Sequence, residues 1–350
     1  MWRKWQILVG VGTAAILLIS LIPGCAPAAP GEGAPPGGEK PSYHWRLSND
    51  MPPESIETMA CERFAEKVGD ASGGRMVIDV YPGGILGDWI AVQEEVMKGT
   101  IDMAWSAMSS IWDPRADIVY IPYLVISWEE ATKAYAAGGF IYDQFSEMGK
   151  GMGFHVLSCY PRSWMGLGTV ERPPSPKDPD VPKNMKVRVW ACKPAELIMK
   201  RFGYIPTVLP WADVFSSLQL GVIDGVYTDL ADAYDCQRDL INYWVYDRSL
   251  FEGHFCIMHK DLFDSLSSED QQILVDTALA EQNAEMEVAE QRDEEYMQKF
   301  RDQGTEIILF TPEELNKLRD MAIEELWPEL YDTMGKILID DAAAYVETLK

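Results

Sequence analysis

The chain has 350 residues, 47% of them hydrophobic and 24% charged, which is typical of a globular protein and excludes a disordered, collagen-like or polytopic membrane chain. It carries 30 Lys and Arg against 55 Asp and Glu, a net charge of −25, and this argues against nucleic acid as a partner because phosphates need a basic surface. Small anionic ligands are compatible with this charge, since exposed charges are screened beyond about 8–10 Å at physiological salt. The length predicts two domains.

The N-terminus has the pattern of an export signal. A basic start at residues 1–4 precedes a charge-free apolar run at 7–22, and the run ends at Pro23-Gly24-Cys25. Residues 22–25 resemble a bacterial lipobox, in which Cys25 is lipidated, although Pro23 departs from the usual small residue. The alternatives are plain cleavage and an uncleaved anchor, because the run is nearly long enough to span a bilayer of about 30 Å. All three place the body outside the cytoplasm.

Residues 26–42 are rich in Pro and Gly and predict a flexible tether after the signal. The chain has six cysteines and no CxxC or zinc-like spacing among them. We expect the cysteines other than Cys25 to be small buried hydrophobic residues rather than a disulfide framework, which a chain of this length does not need. They are Cys61, Cys159, Cys192, Cys236 and Cys256.

The first part of the body alternates strands and helices. Apolar spacing predicts strands at 44–48, 76–81 and 101–106, with helices at 55–70 and 88–98 between them. This β-α-β-α-β order predicts a mostly parallel sheet with helices on both faces.

The same alternation returns later in the chain. Strands are predicted at 186–190, 204–209 and 222–228, with helices at 194–202 and 211–220. A second α/β unit therefore follows the first.

The last third is mainly helical. Ser268 and Gln271 predict a capping box that starts a helix running to about residue 300, far beyond the usual length of about 11–12 residues. Its broken apolar spacing predicts that it lies across a surface rather than inside one core. A strand at 306–310 and a helix start at Thr311-Pro312 follow, and the chain is predicted to be helical to Lys350.

No catalytic constellation is visible in the sequence. HExxH, GxSxG, GxxxxGK[ST] and GxGxxG are absent, and we interpret His44, His155, His254 and His259 as structural. The notable feature is a set of aromatic residues near the ends of predicted strands, where open α/β sheets bind ligands. About half of them are expected to be core residues. They are Trp105, Trp112, Trp164, Trp190, Trp211, Tyr227, Tyr234, Tyr243 and Trp244.

Several segments, in matching order and spacing, resemble the TRAP-transporter solute-binding proteins of the dicarboxylate-binding (DctP) type. The resemblance covers residues 43–350. It is carried by residues 81–88 (YPGGILGD), 98–104 (KGTIDMA), 186–189 (KVRV), 203–207 (GYIPT), 209–215 (LPWADVF) and 218–226 (LQLGVIDGV).

The resemblance implies a two-lobe, periplasmic-binding-protein-like α/β fold. Each lobe is expected to be a mostly parallel sheet flanked by helices, with crossing strands and one long helix spanning both lobes. We expect lobe I at 43–162 plus 254–293 and lobe II at 163–253 plus 294–350. A ligand would bind between the lobes and hold them closed, because contacts to both lobes favour the closed state.

The resemblance also implies the binding residues. Arg188 would pair with a ligand carboxylate, since a guanidinium offers a planar two-donor fork, and Trp211 would be a pocket aromatic. The alternative for Arg188 is a surface or interdomain ion pair. Thr228 stands where Asn is common in the family, and Ala107 where a polar contact can occur. The other candidates are Asp50, Trp105, Arg162, Trp164, Trp190 and Tyr227.

Tyr227-Thr228 stands in place of the Glu-Trp pair of metal-assisted members, so we expect no metal or other cofactor.

The predicted function is an extracytoplasmic, lipid-tethered receptor that delivers a small organic acid to TRAP membrane subunits powered by an ion gradient. A sensory module for a signalling partner is the alternative, and an enzyme is third. With Arg188 as the one arginine expected to hold a carboxylate, a monocarboxylate with an apolar or aromatic body is favoured over a succinate-like acid, because an unpaired buried charge is costly. Arg162 would overturn this if it entered the cleft.

Overall fold

The computed structural model describes residues 43–349, without the side chains of Tyr160 and Pro161. The predicted signal segment, Cys25 and the tether lie outside these residues. Ten strands form one mixed sheet. They are β1 (Tyr43–Asn49), β2 (Met76–Tyr81), β3 (Met103–Ser106), β4 (Phe154–Thr169), β5 (Lys186–Val189), β6 (Ile205–Val208), β7 (Gly225–Asp229), β8 (Tyr243–Tyr246), β9 (Phe251–His259) and β10 (Glu306–Leu309).

Twelve α-helices flank the sheet within the described residues. They are α1 (Ile56–Ala71), α2 (Trp89–Lys98), α3 (Trp128–Tyr135), α4 (Phe140–Met152), α5 (Lys193–Arg201), α6 (Val214–Gln219), α7 (Leu230–Gln237), α8 (Lys260–Asp264), α9 (Ser268–Asp302), α10 (Pro312–Met321), α11 (Tyr331–Met334) and α12 (Lys336–Leu349). Helical turns of other types occupy Pro114–Tyr120, Trp211–Asp213, Ala322–Leu326 and Trp327–Leu330.

The sheet is parallel at its two ends and antiparallel in its middle. Its strand order is β2-β1-β3-β9-β4-β7-β5-β6, with β8 pairing β4 and β10 pairing β8. Strands β1, β2 and β3 are parallel to one another, as are β5, β6 and β7. Strands β4 and β9 run antiparallel to each other and to their outer neighbours β7 and β3. The parallel prediction therefore holds for both ends and not for the centre.

The long central strands were not assigned from apolar spacing. Strand β4 has 16 residues, and its pairing with β9 shifts register between Val156 and Ser158 and again between Pro161 and Ser163. Each shift inserts a residue and reverses which side chains face a given side. The alternation that identifies a strand is therefore broken twice within β4.

The helices α9 and α10 begin at or next to the residues predicted from their capping signals, with one correction. Thr311 and Glu314 form a capping box at the start of α10. Helix α9 is 35 residues long, but its N-cap is Ser267, whose side chain accepts from the Asp270 amide. The prediction of Ser268 as the cap was wrong by one residue, because Ser267 is the last residue with extended backbone and Ser268 is already helical. Helix α9 packs on α1, β4, α7 and β10.

The cysteines follow the prediction with one exception. Cys61, Cys159, Cys192 and Cys256 are buried, whereas Cys236 is exposed on α7. All five are free thiols. Between residues 43 and 349, no helix combines the length and apolar character needed to cross a bilayer.

Candidate functional site

Arg188 is a buried cation that has no ion-pair partner in the described part of the chain. Strand β5 alternates, so Val187 and Val189 are fully buried in the core and the Arg188 side chain leaves from the other face. Arg188 is 7% exposed. Its Nε donates to the Leu209 carbonyl at 3.1 Å. Between residues 43 and 349, its Nη1 and Nη2 have no hydrogen-bond partner, and no carboxylate oxygen lies within 4.0 Å of it.

The electrostatics of Arg188 follow from this burial. Desolvation lowers its pKa to about 10, and the negative charges of Asp232 and Glu252 offset part of that effect. The guanidinium is therefore still charged at neutral pH. A buried charged donor strongly favours an anionic acceptor, because burying a charge without a partner of opposite charge costs free energy.

One aromatic ring lies beside this guanidinium, and a cluster of rings follows the end of β5. The Trp211 ring centroid lies 5.2 Å from the Arg188 guanidinium carbon, and the Trp211 side chain is 37% exposed. Trp190, which directly follows β5, stacks on Tyr227 at 6.1 Å and meets Tyr120 edge-on at 5.1 Å. Tyr227 itself is fully buried, and its hydroxyl bonds to Ser249. Trp211 therefore supplies exposed aromatic surface beside Arg188, and Trp190, two residues after Arg188 in the chain, is partly exposed.

Two predicted aromatic contacts lie inside the core instead. Trp105 packs edge-on against Phe64 at 5.9 Å, and Trp164 packs against Trp128 and Phe251. Neither Trp105 nor Trp164 has exposed surface, so neither presents a face to a ligand in this conformation. Among the smaller candidates, Thr228 is buried on β7 and Ala107 follows β3 with part of its surface exposed.

Arg162, the candidate second arginine, already has three carboxylate partners. Its Nη2 lies 3.1 Å from Asp232 Oδ1 and 3.6 Å from Asp229 Oδ2, and its Nε lies 3.8 Å from Glu57 Oε2. Burial alone would lower its pKa, but these carboxylates hold it well above the ordinary value. Burial and the neighbouring Asp232 raise the pKa of Asp229. Arg162 is thus neutralised by the protein itself.

His254 connects the carboxyl groups around Arg162 to the aromatic residues near Trp190. Its Nδ1 lies 2.6 Å from Glu57 Oε1 and its Nε2 lies 3.4 Å from Glu252 Oε1. Burial would lower its pKa, but the two carboxylates raise it to about 10. Both ring nitrogens of the resulting imidazolium donate. Glu252 also accepts from the Tyr120 hydroxyl at 3.0 Å, which links the network to the rings around Trp190.

Asp50 directly follows β1 at the carboxyl end of that strand. Its Oδ1 is buried and has no hydrogen-bond partner, and Asp50 takes part in no ion pair with any other described residue. Burial raises its pKa. Asp50 borders a narrow gap, too small to hold a water molecule, whose other lining residues are Ser48, Gly87, Trp89, Val92 and Ser106.

Sequence reasoning missed most of the acidic members of this site. Glu252 and His254 lie two residues apart on β9 and so share a face, but β9 was not assigned. Asp229 ends β7 and caps α7 by accepting from the Asp232 amide, a strand-end position that could have been identified. Glu57 lies in the first turn of α1 and is 2% exposed, which nothing in its local sequence indicates.

No group of three or more His, Cys, Asp or Glu side chains is placed to hold a metal ion within residues 43–349. A separate shallow groove of about 540 Å³ lies between α4 and the end of α12, lined by residues that include Phe140 and Tyr345, and contains none of the groups above.

The sequence of this chain is similar to those of known bacterial solute-binding proteins. The family model described as "Bacterial extracellular solute-binding protein, family 7" (DctP) matches residues 47–333. The ectoine-binding periplasmic protein TeaA of Halomonas elongata is 25% identical over 329 residues, covering 88% of this chain and 92% of the relative.

Solved structures share the fold. A TRAP periplasmic solute-binding protein from Ochrobactrum anthropi superposes with a TM-score of 0.80 at 20% identity, over 88% of this chain and 96% of that one. A second, from Desulfovibrio salexigens with bound orotic acid, gives a TM-score of 0.77 at 19% identity, over 88% of this chain and all (100%) of that one.

Proposed function

The chain belongs to the bacterial extracellular solute-binding proteins of family 7, and from that premise we propose that it is the extracytoplasmic receptor that delivers a small carboxylic acid to a TRAP-type transporter. Proteins of this family are binding receptors, so the chain is not an enzyme. The family assignment favours transport over the sensory alternative.

The observation that carries the proposal is the buried guanidinium of Arg188, which forms no ion pair within residues 43–349. A carboxylate on its two terminal nitrogens would form two parallel charged hydrogen bonds. Trp190 and Trp211 would then cover the body of the ligand.

The proposed ligand has one carboxylate that needs an arginine. Arg162 is surrounded by Glu57, Asp229 and Asp232, so a second ligand carboxylate would have to compete there with carboxyl groups that already compensate the guanidinium charge. A monocarboxylate is therefore favoured over a succinate-like acid.

The test is mass spectrometry of small molecules released by denaturation from the purified full chain. We expect a compound with one carboxylate, and ectoine, for which the Halomonas relative is named, is the first reference compound. A released ligand without a carboxylate, or with two, contradicts the proposal.

We further propose that residues 43–162 plus 254–293 form one lobe and that 163–253 plus 294–350 form the other, closing on the ligand about β4 and β9. Support comes from these two strands, which join the two parallel ends of the sheet. Small-angle scattering measures the closure, and a radius of gyration that does not fall when ligand is added contradicts it.

Anchoring at Cys25 is the last part of the proposal, and it rests on the apolar run that ends at Gly24-Cys25. Cys25→Ser should release the body from the membrane fraction or leave the precursor uncleaved. Intact-mass analysis of the membrane-extracted wild type decides: a mass that retains residues 1–24 without an acyl group contradicts lipidation.

A further inference from the structure

Strand β4 has two bulges where it pairs with β9, at Leu157 and at Arg162, and each bulge places one extra residue opposite β9. A bulge interrupts the regular hydrogen bonding of a ladder, so a strand bends there at the least cost. Side chains of α9 contact β4 at both bulges. The partners of these side chains differ between the two bulges, and the difference indicates which bulge can act as a hinge.

The first bulge is held inside one proposed lobe. The Gln282 Oε1 atom accepts from the Cys159 amide at 2.7 Å, and its Nε2 donates to the Tyr135 carbonyl at 2.9 Å. Gln282 is 1% exposed. Because all three residues lie in 43–162 plus 254–293, these bonds fix β4 within that lobe and do not connect it to the other lobe.

The second bulge lies on the proposed border between the lobes, which separates Arg162 from Ser163. Two successive residues of α9 hold the two sides of this border. The Arg292 Nη2 atom donates to the Arg162 carbonyl at 3.3 Å, and the Ser163 hydroxyl donates to Asp293 Oδ1 at 2.7 Å. The proposed border on α9 itself follows Asp293, so three border positions meet at one place.

The other contacts of these two α9 residues lead in opposite directions. The Arg292 Nη1 atom lies 2.8 Å from Glu285 Oε2, and Glu285 Oε1 lies 2.8 Å from Arg63 Nη2 on α1. Asp293 Oδ2 accepts from the Tyr246 hydroxyl on β8. Arg292 is therefore tied to the lobe that contains α1, and Asp293 to the lobe that contains β8.

These contacts occur while the two proposed lobes touch each other. The Tyr120 and Trp190 rings meet edge-on at 5.1 Å from opposite sides of the border. The Arg162 guanidinium lies 3.8 Å from Glu57 of one proposed lobe and 3.1 Å from Asp232 of the other. The structure is therefore the closed arrangement of the proposed lobes.

We infer that the bulge at Arg162 is the hinge point of β4, and that Arg292 and Asp293 are positioning residues that fix its bend in the closed conformation. This inference rests on the two lobes of the proposed function. Loss of these bonds should shift the protein towards the open conformation, because hydrogen bonds to charged groups stabilise the closed bend. It should also weaken ligand binding, since the apparent affinity scales with the population of the competent conformation.

The test is hydrogen exchange, measured by mass spectrometry on the ligand-free full chain. Arg292→Met removes the charged donor and keeps a long side chain. We expect exchange to accelerate by about tenfold or more in residues 117–121 and 188–191, which carry the two rings that meet between the lobes. Loosening of α9 alone would accelerate exchange around residue 292 and leave these two segments unchanged.

Gln282→Leu is the matched control, because it removes equally buried α9-to-β4 bonds at the other bulge. It should accelerate exchange near Cys159 and leave residues 117–121 and 188–191 as in the wild type. Ser163→Ala removes one hydroxyl from the hinge bulge and replaces Arg292→Met if that variant does not fold. It should accelerate the same two segments, by a smaller factor.

Unchanged exchange in residues 117–121 and 188–191 in a folded hinge variant overturns the inference, as does an equal acceleration of these segments in Gln282→Leu. The two proposals fail separately. A released fraction without a carboxylate contradicts the proposed ligand class. The exchange experiment uses no ligand and depends only on the opening of the lobes, so it confirms or overturns the hinge assignment by itself.

Discussion

At the scale of single residues, two arginines of the same site have opposite electrostatic situations. Arg162 has three carboxylates around it, and their charges raise its pKa despite burial. Arg188 has none within ion-pair distance among the described residues, and burial lowers its pKa to about 10. The protein compensates the charge of Arg162 internally, whereas Arg188 forms no ion pair within residues 43–349.

Removing the Arg188 guanidinium should therefore weaken ligand binding without a matching loss of stability. We expect Arg188→Ala to cost at least roughly 1.5–3 kcal/mol of binding free energy, the range for hydrogen bonds to charged groups. Arg188→Lys should restore little of it, because an ammonium lacks the two-donor fork. Calorimetry with the carboxylate identified from the released fraction measures both variants.

Arg172→Ala is the matched control, since Arg172 is exposed and pairs with Glu306 on the surface. It should leave the affinity unchanged. Equal affinities in wild type and Arg188→Ala would show that the carboxylate does not bind at Arg188.

At the scale of elements, the start of α9 depends on a single hydroxyl. Ser267 accepts from the Asp270 amide, and its Oγ also donates to the Asp270 carboxylate at 3.0 Å. Arg75 holds the same carboxylate, which ties the helix start to the turn after α1. The cap therefore joins a local helix signal to a long-range contact.

Ser267→Ala should destabilise the protein by about 1 kcal/mol, the usual cost of losing a side-chain cap. Ser268→Ala is a matched control one residue away, and its effect should stay within about 0.5 kcal/mol because Ser268 is helical and exposed. Urea unfolding measures both variants. A larger loss in Ser268→Ala than in Ser267→Ala would instead assign the cap to Ser268.

At the scale of the whole molecule, buried ionisable groups predict that stability falls at alkaline pH. The pKa of His254 rises from 6.5 to about 10 on folding, so its contribution is complete below pH 6.5 and is lost as pH rises through 10. Burial raises the pKa of Asp247 from 3.8 to about 7, so its stabilising contribution is complete below pH 3.8 and is lost as pH rises to about 7, with no further change above that. Both effects have the same sign.

We therefore expect the melting temperature to fall steadily between pH 6 and pH 10 at constant ionic strength. Carboxyl groups with a lowered pKa, such as Asp270, stabilise the fold above the ordinary carboxyl pKa. Their contribution is lost only as the pH falls into the acid range, so they do not oppose this trend. His254→Gln should flatten the decline, and this separates the His254 effect from general charge repulsion. A melting temperature that rises to pH 10, or an equal slope in the variant, contradicts the assignment.

Local signals in the sequence predicted much of the architecture. The strand at Met76–Tyr81, the Thr311 cap and the long helix α9 were identified because they depend on apolar spacing and capping residues that are close in the chain. The family resemblance rested on similarly short motifs and is confirmed over residues 47–333. The role of Arg188 in binding remains a prediction.

The charge pairing of the site was decided only by tertiary structure. Arg162 meets Glu57 and Asp232 because β4 crosses the centre of the sheet between segments far apart in the chain. Whether an arginine forms ion pairs depends on the side chains that neighbouring strands bring close to it. Those neighbours cannot be predicted from the residue type alone. The two register shifts in β4 likewise arise from pairing with β9. By itself the sequence determined the family and the elements with regular local spacing, whereas the order of the strands decided which charged side chains pair with one another.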